Sequence, residues 1–287
     1  MMELTRDLPT TPYIDDIVVP AKSIEENISL LKNFFDRLRE VNFKLKLKKC
    51  TFLSSQINYL GFIISNNTLE ADPRKIEAIK EAEFPLTVKG LQRFLGMTNY
   101  LSRFISNYAE TSKMLTSCQN QTQKQYNETL KSNRLEFERS FEILKKNYAV
   151  TALKLPDFNK QFYVSTDASD NDIGGMLFQD DGPIAFYSRK LSSCELNYSK
   201  IDREYLVLFS TIRKFHGYLY GVKFKAYTDH KPLVNFLKNS MQSGRQQRWF
   251  TKLEEYDFDL IYVKGKDNVV ADYLSRQSCN AFSTTVA

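Results

Sequence analysis

Apolar and polar positions change rhythm several times along the chain. In TPYIDDIVVP, Tyr13 and Ile14 precede two acids and Ile17, Val18 and Val19 follow them, which predicts a tight hairpin with Asp15 and Asp16 at its tip. SIEENISLLKNFFDRLREVNF opens on a serine cap with acids in its first turn, and Ile24, Ile28, Leu31, Phe35 and Leu38 recur at helical spacing. FKLKLKK alternates strictly, with Phe43, Leu45 and Leu47 against Lys44, Lys46 and Lys48. That predicts a half-buried strand with a lysine-rich open face. INYLGFIIS predicts a strand pair bent at Gly61. From Asp72-Pro73 the spacing is helical, through DPRKIEAIKEA and TVKGLQRFLGMTNYLSRFISNYAETSKMLT. Polar residues 117–133 predict a loop or linker, a helix follows at about 134–148, and LPDF at 155–158 marks a boundary.

Beyond that boundary the period changes. QFYVSTDAS, GGMLFQ and PIAFYSRK predict three short strands in an antiparallel meander. A long amphipathic helix at about 196–219, a strand at 223–228, a helix after Pro232 and another at 245–255 come next. The strand FDLIYV and a last short helix near 268–275 complete the order. This succession predicts an α+β fold with helices packed on a mixed five-stranded sheet.

A length of 287 residues fits roughly two domains and suffices for a buried core without staples. Four cysteines without CxxC spacing and two histidines argue against zinc and for free thiols in a reducing compartment. No apolar run approaches membrane-spanning length, so the expected location is intracellular and cytoplasmic. A net charge of +6 permits an anionic partner without demanding one.

Four acids stand where structure alone explains them poorly. Asp167 ends the apolar strand FYVST and Asp229 ends FKAYT. Glu204 lies on or beside the helical stripe of Ile201, Tyr205, Leu208, Ile212 and Phe215, and Asp272 lies among Val269, Val270, Ala271 and Leu274. Burying one ionised carboxylate without a partner costs several kcal/mol. A divalent ion would let several remain ionised together. Each acid taken singly reads as a turn or cap residue, as Asp170, Asp172, Asp180 and Asp181 do. The four together point to a metal site.

TDAS, REYLVL, YTDHKPL and KGKDNVVADYLSR resemble the ribonuclease H domain of retroelement reverse transcriptases, in particular the gypsy-like long-terminal-repeat group. The resemblance implies that Asp167, Glu204, Asp229 and Asp272 are catalytic. They would hold two Mg²⁺ ions, with Mn²⁺ able to substitute, and the RNA strand of an RNA–DNA hybrid would be cut. YIDD resembles the catalytic hairpin of a polymerase palm, which implies metal binding at Asp15 and Asp16. YLGFIIS resembles the primer grip, with Tyr59, Leu60 and Gly61 against nucleic acid. DPRKIEAIKEAEFP and LQRFLGMTNYLSRFI resemble the thumb. Arg189, Lys190, Lys231, Arg245 and Arg248 are placed by the resemblance around the nuclease cleft as hybrid contacts.

The implied domains are the C-terminal part of a palm with primer grip (1–72), a helical thumb or connection (73–150), a ribonuclease H-like domain (151–276) and a tail (277–287). The family's third polymerase aspartate and its fingers lie upstream of YIDD. The expectation is therefore a truncated copy or fragment, with RNA-directed DNA polymerase activity only in a longer parent chain. Its partners would be the hybrid and the missing palm and fingers part or a homodimer partner, within a virus-like particle if the element is active. The competing reading is a non-catalytic nucleic-acid-binding or partner-binding remnant, which the presence of all four nuclease acids disfavours. His216 and Trp249 read as packing residues, His230 as a neighbour of the metals, and the lysine-rich face as a phosphate-tracking or merely solvated surface.

Overall fold

The computed structural model describes residues 7–65, 67–148, 152–236 and 244–264. Contacts divide the chain into two compact units, Met1–Asn66 and Asn67–Ala287.

In the first unit, β1 (Thr11–Tyr13) and β2 (Asp16–Val18) form the expected antiparallel hairpin, with Tyr13 opposite Asp16. Helix α1 (Ile24–Glu40) starts at Ser23, whose hydroxyl accepts from the Glu26 amide. Of its expected apolar stripe only Leu38 is buried, Leu31 and Phe35 are half-buried and Ile24 and Ile28 are exposed, while Phe34, outside the stripe, is covered. The predicted strand at Phe43–Lys48 does not form. Asn42 takes a left-handed conformation (φ 53°), and the Phe43 amide turns back to the Leu38 carbonyl at 2.8 Å. That backward turn closes α1 with a left-handed C-terminal cap. The lysines then run through irregular backbone and a 3₁₀ turn, Leu47–Lys49. The expected strand pair follows as β3 (Gln56–Tyr59) and β4 (Phe62–Ser65), joined at Leu60 (φ 50°) and Gly61 (φ 71°), a two-residue turn with both centres left-handed.

The second unit opens with β5 (Thr68–Ala71) and α2 (Pro73–Lys80), capped by Asp72 with proline at the first helical position. Helices α3 (Val88–Tyr100), α4 (Tyr108–Thr111) and α5 (Lys113–Cys118) follow. Residues 117–133 are not the expected linker. Most of them belong to α6 (Gln123–Asn147), which begins at a capping box of Thr122 and Gln125 and is kinked at Asn133. Tyr126, Leu130, Phe137, Phe141 and Leu144 are its buried face. A short strand β6 (Leu153–Lys154) pairs with β5.

The expected meander is present as β7 (Phe162–Ala168), β8 (Asp172–Gln179) and β9 (Gly182–Lys190). In place of one long helix there are a 3₁₀ turn at Glu195–Asn197, α7 (Lys200–Lys214) and α8 (His216–Leu219), with a break at Phe215. Strand β10 (Phe224–Thr228), α9 (Lys231–Phe236), α10 (Gly244–Leu253) and β11 (Phe258–Tyr262) complete the described chain. The sheet order is β11-β10-β7-β8-β9. β10 runs parallel to both neighbours while β7, β8 and β9 alternate, so the five-stranded sheet is mixed. The helix expected near 268–275 and the tail 277–287 lie outside the described residues.

Candidate active site

β7 and β10 bring two of the acids to one end of the sheet. They are parallel neighbours in register from Phe162 and Phe224 to Ser165 and Tyr227, and the Thr166 hydroxyl donates to the Tyr227 carbonyl at 3.2 Å. Asp167 lies two residues past Ser165 on β7 and Asp229 one residue past the end of β10, and the charge of Asp229 reaches the Asp167 carboxyl.

Glu204 reaches this end from α7. Ser199 fixes the helix start by accepting from the Asp202 amide. Tyr205, Leu208 and Ile212 on α7 pack with Phe162, Val164, Leu177, Phe224 and Ala226 from the sheet. The approach is close at Gly175 of β8, where a Cβ would overlap the Thr211 side chain. This packing leaves Glu204 only 4% exposed.

The three acids lie in one another's field. Burial, then the charges of Asp229 and Asp167, push the Glu204 carboxyl up to about 7, while Lys200 and Arg203 pull the other way. Among the described residues its Oε2 is buried without a hydrogen-bond partner. The Asp167 carboxyl is also raised, first by partial desolvation and then by Asp229, although the residue is exposed. His230 is lowered by burial and by Lys200, against the pull of Asp229. Arg203 is paired with Asp170 at 2.8 Å and, among the described residues, forms no ion pair with Asp167, Glu204 or Asp229.

Among the described residues no three His, Cys, Asp or Glu side chains are close enough together to enclose a metal ion. Asp272, the fourth expected ligand, lies outside the described residues. The donor set nevertheless fits a divalent ion in kind. All three groups are carboxylates, which suit a hard cation such as Mg²⁺, and the Glu204 oxygen offers a lone pair that such a cation would accept.

In the first unit, Asp15 and Asp16 sit exposed at the hairpin tip beside Ile14, whose φ of 51° is unusual for a β-branched residue. The Tyr59 hydroxyl donates to the Thr11 carbonyl at 3.1 Å, joining the second hairpin to the first. Burial, then Asp16 and Tyr13, raise that phenol.

The basic residues expected around the cleft divide by their partners. Arg189 grips Glu195 with both guanidinium nitrogens, at 2.7 and 2.9 Å, and its grip draws the Glu195 carboxyl down to about 2. The Lys190 ammonium donates to the Lys113 carbonyl at 2.6 Å, tying β9 to α5. The Arg245 guanidinium stacks 3.9 Å from the centre of the Tyr198 ring. Lys231 and Arg248 are exposed. His216 meets the Tyr256 hydroxyl at 2.7 Å, and Trp249 packs edge-on to Tyr205. Sequence reasoning missed Lys200, one helical turn before Glu204 and felt by both Glu204 and His230; the four-residue spacing was the available signal.

Residues 157–256 match the family described as RNase H-like domain found in reverse transcriptase, and residues 1–64 match reverse transcriptase (RNA-dependent DNA polymerase). The retrovirus-related Pol polyprotein from transposon 297 of Drosophila melanogaster is 39% identical over 92% of this chain and 25% of its own length. That from transposon gypsy of the same organism is 31% identical over 94% of this chain and 27% of its own. The chain thus spans about a quarter of the length of these relatives. A solved foamy viral protease-reverse transcriptase in complex with RNA/DNA hybrid shares the fold, with a TM-score of 0.75 and 22% identity over 92% of this chain and 37% of that one.

Proposed function

We propose that this chain, which belongs to the Pol polyprotein family of long-terminal-repeat retrotransposons, hydrolyses the RNA strand of RNA–DNA hybrids at the cluster of Asp167, Glu204 and Asp229. The carrying observation is electrostatic. Three carboxylates, from β7, from α7 and from the position after β10, lie within electrostatic reach of one another, and among the described residues they form no ion pair and one buried oxygen has no hydrogen-bond partner. An arrangement that raises proton affinity in this way costs stability, and it is relieved when a divalent cation takes the proton's place. Asp272 is proposed as the fourth ligand.

Two Mg²⁺ ions held by these carboxylates would lower the pKa of an attacking water and offset charge on the departing 3′-oxygen. The chain's own part is placement. β7 and β10 would present Asp167 and Asp229 at one end of the sheet, and α7, pressed on β8 at Gly175, would carry Glu204 towards them. Lys200 at the start of α7 adds a positive charge beside the acids, where a phosphodiester would approach. Discrimination between RNA and DNA in the cut strand rests on the 2′-hydroxyl. DNA synthesis is proposed for the whole polyprotein, with residues 1–64 supplying the Asp15–Asp16 hairpin to its palm.

The test is incubation of the purified chain with an RNA–DNA hybrid and Mg²⁺, beside duplex DNA. Cutting of the hybrid RNA alone is expected. Equal cutting of duplex DNA, or none of the hybrid, would refute the reading.

A further inference from the structure

The first unit carries a positive surface that the nuclease reading leaves unused. Between Glu40 and Glu70 the sequence contains no Asp or Glu, yet it contains Lys44, Lys46, Lys48 and Lys49. All four are exposed, and among the described residues none of their ammonium groups has a hydrogen bond or an ion pair. They ride on a defined loop rather than on the sheet edge that alternation suggests. The loop leaves α1 through Asn42 (φ 53°), passes the 3₁₀ turn Leu47–Lys49 and returns through Leu53 (φ 52°). Phe43 and Phe52, each 44% exposed, stand at its two ends. Four unneutralised cations between two accessible rings suit a polyanion that also offers flat apolar faces.

We infer that the loop of residues 43–53 is a binding site for single-stranded nucleic acid, with Lys44, Lys46, Lys48 and Lys49 on the phosphates and Phe43 and Phe52 against the bases. Duplexes fit less well, because their bases are already stacked and offer the rings nothing. A simple acidic protein would use the charges but not the rings. The site lies in a different unit from the acid cluster and does not depend on cleavage there.

Binding of a short labelled single-stranded RNA to the whole chain, followed by fluorescence anisotropy in chelator, tests this without hydrolysis. Losing four phosphate contacts should lower the slope of log K against log salt by about 3. Wild type should therefore lose about 50-fold more affinity than K44Q/K46Q/K48Q/K49Q between about 50 and about 200 mM salt. F43A should weaken binding several-fold and leave the slope unchanged. The comparison is K80Q/K89Q/K124Q/K131Q, four exposed lysines on the second unit with the same total charge change. An equal loss in that variant would reduce the effect to net charge and overturn the site. So would an unaltered slope in the loop variant, or polyglutamate competing as well as RNA. If the quadruple loop variant does not fold, K48Q/K49Q should still lower the slope by about half as much, and no change there overturns the proposal.

Discussion

Replacing Glu204 by glutamine should stabilise the metal-free chain at alkaline pH and remove part of its pH dependence. In the folded state burial and two like charges raise this carboxyl from the usual 4.5 to about 7. The folded chain therefore holds the proton more tightly than the unfolded one. Stability from this group is complete below about pH 4.5 and is lost as pH rises through 7. At about 1.4 kcal/mol per tenfold change in proton affinity, the difference amounts to about 3 kcal/mol at most. For a unit of this size that is a shift in Tm of about 6–12 °C. Trp249 is the only tryptophan and packs on Tyr205, the residue after Glu204, so its fluorescence follows the relevant core. Melting is compared in chelator at about pH 5 and about pH 8. Wild type should fall towards alkaline pH more than E204Q, and Mg²⁺ should restore wild type but not the variant. Asp167 and Asp172 are also raised and remain in both proteins, so only the difference between the two counts. Parallel pH profiles would refute the claim that Glu204 bears the cluster's strain.

Three further outcomes follow from particular contacts. Gly175→Ala forces a Cβ into Thr211 and should cost about 1–3 kcal/mol in urea unfolding, with Gly175→Ala/Thr211→Gly recovering most of it. Arg189→Met should release the Glu195 carboxyl from about 2 towards its ordinary range. Because that carboxyl is depressed in the fold, the variant should be less stable than wild type at neutral pH and the gap should close as pH falls towards 2. Thr122→Ala removes the capping box of α6 and should cost about 1 kcal/mol, seen as faster amide exchange in its first turn.

Much of the candidate site was legible because its parts obey short periods. Short strand-like runs placed β7 and β10, and the three- and four-residue spacing put Glu204 beside the apolar stripe of α7. What failed was decided by caps and by distant packing. Lys44–Lys48 alternates like a strand, but Asn42 in a left-handed cap turns the chain away from a sheet. Residues 117–133 look like a linker because few of them are apolar. Tyr126 and Leu130 are the buried positions of that stretch of α6, and the Thr122–Gln125 pair was its readable start. The stripe on α1 was read correctly as a helix, yet Ile24 and Ile28 are exposed, which no local pattern reveals. The partners of Arg189 and Lys190 were equally hidden, since Lys113 lies far away in sequence and the ion pair to Glu195 depends on the turn after β9.

The most direct test of the account is the chemistry of the RNA ends after cleavage of a hybrid, with wild type and Asp167→Asn purified side by side. Water attacking phosphorus with the 3′-oxygen leaving produces a 5′-phosphate and a 3′-hydroxyl. Wild type with Mg²⁺ should yield those ends, lose activity in chelator, and be matched by no cutting in the variant. Cyclic phosphate ends, which mark attack by the 2′-hydroxyl, or undiminished cutting by Asp167→Asn, would contradict a carboxylate-held divalent ion as the agent of hydrolysis.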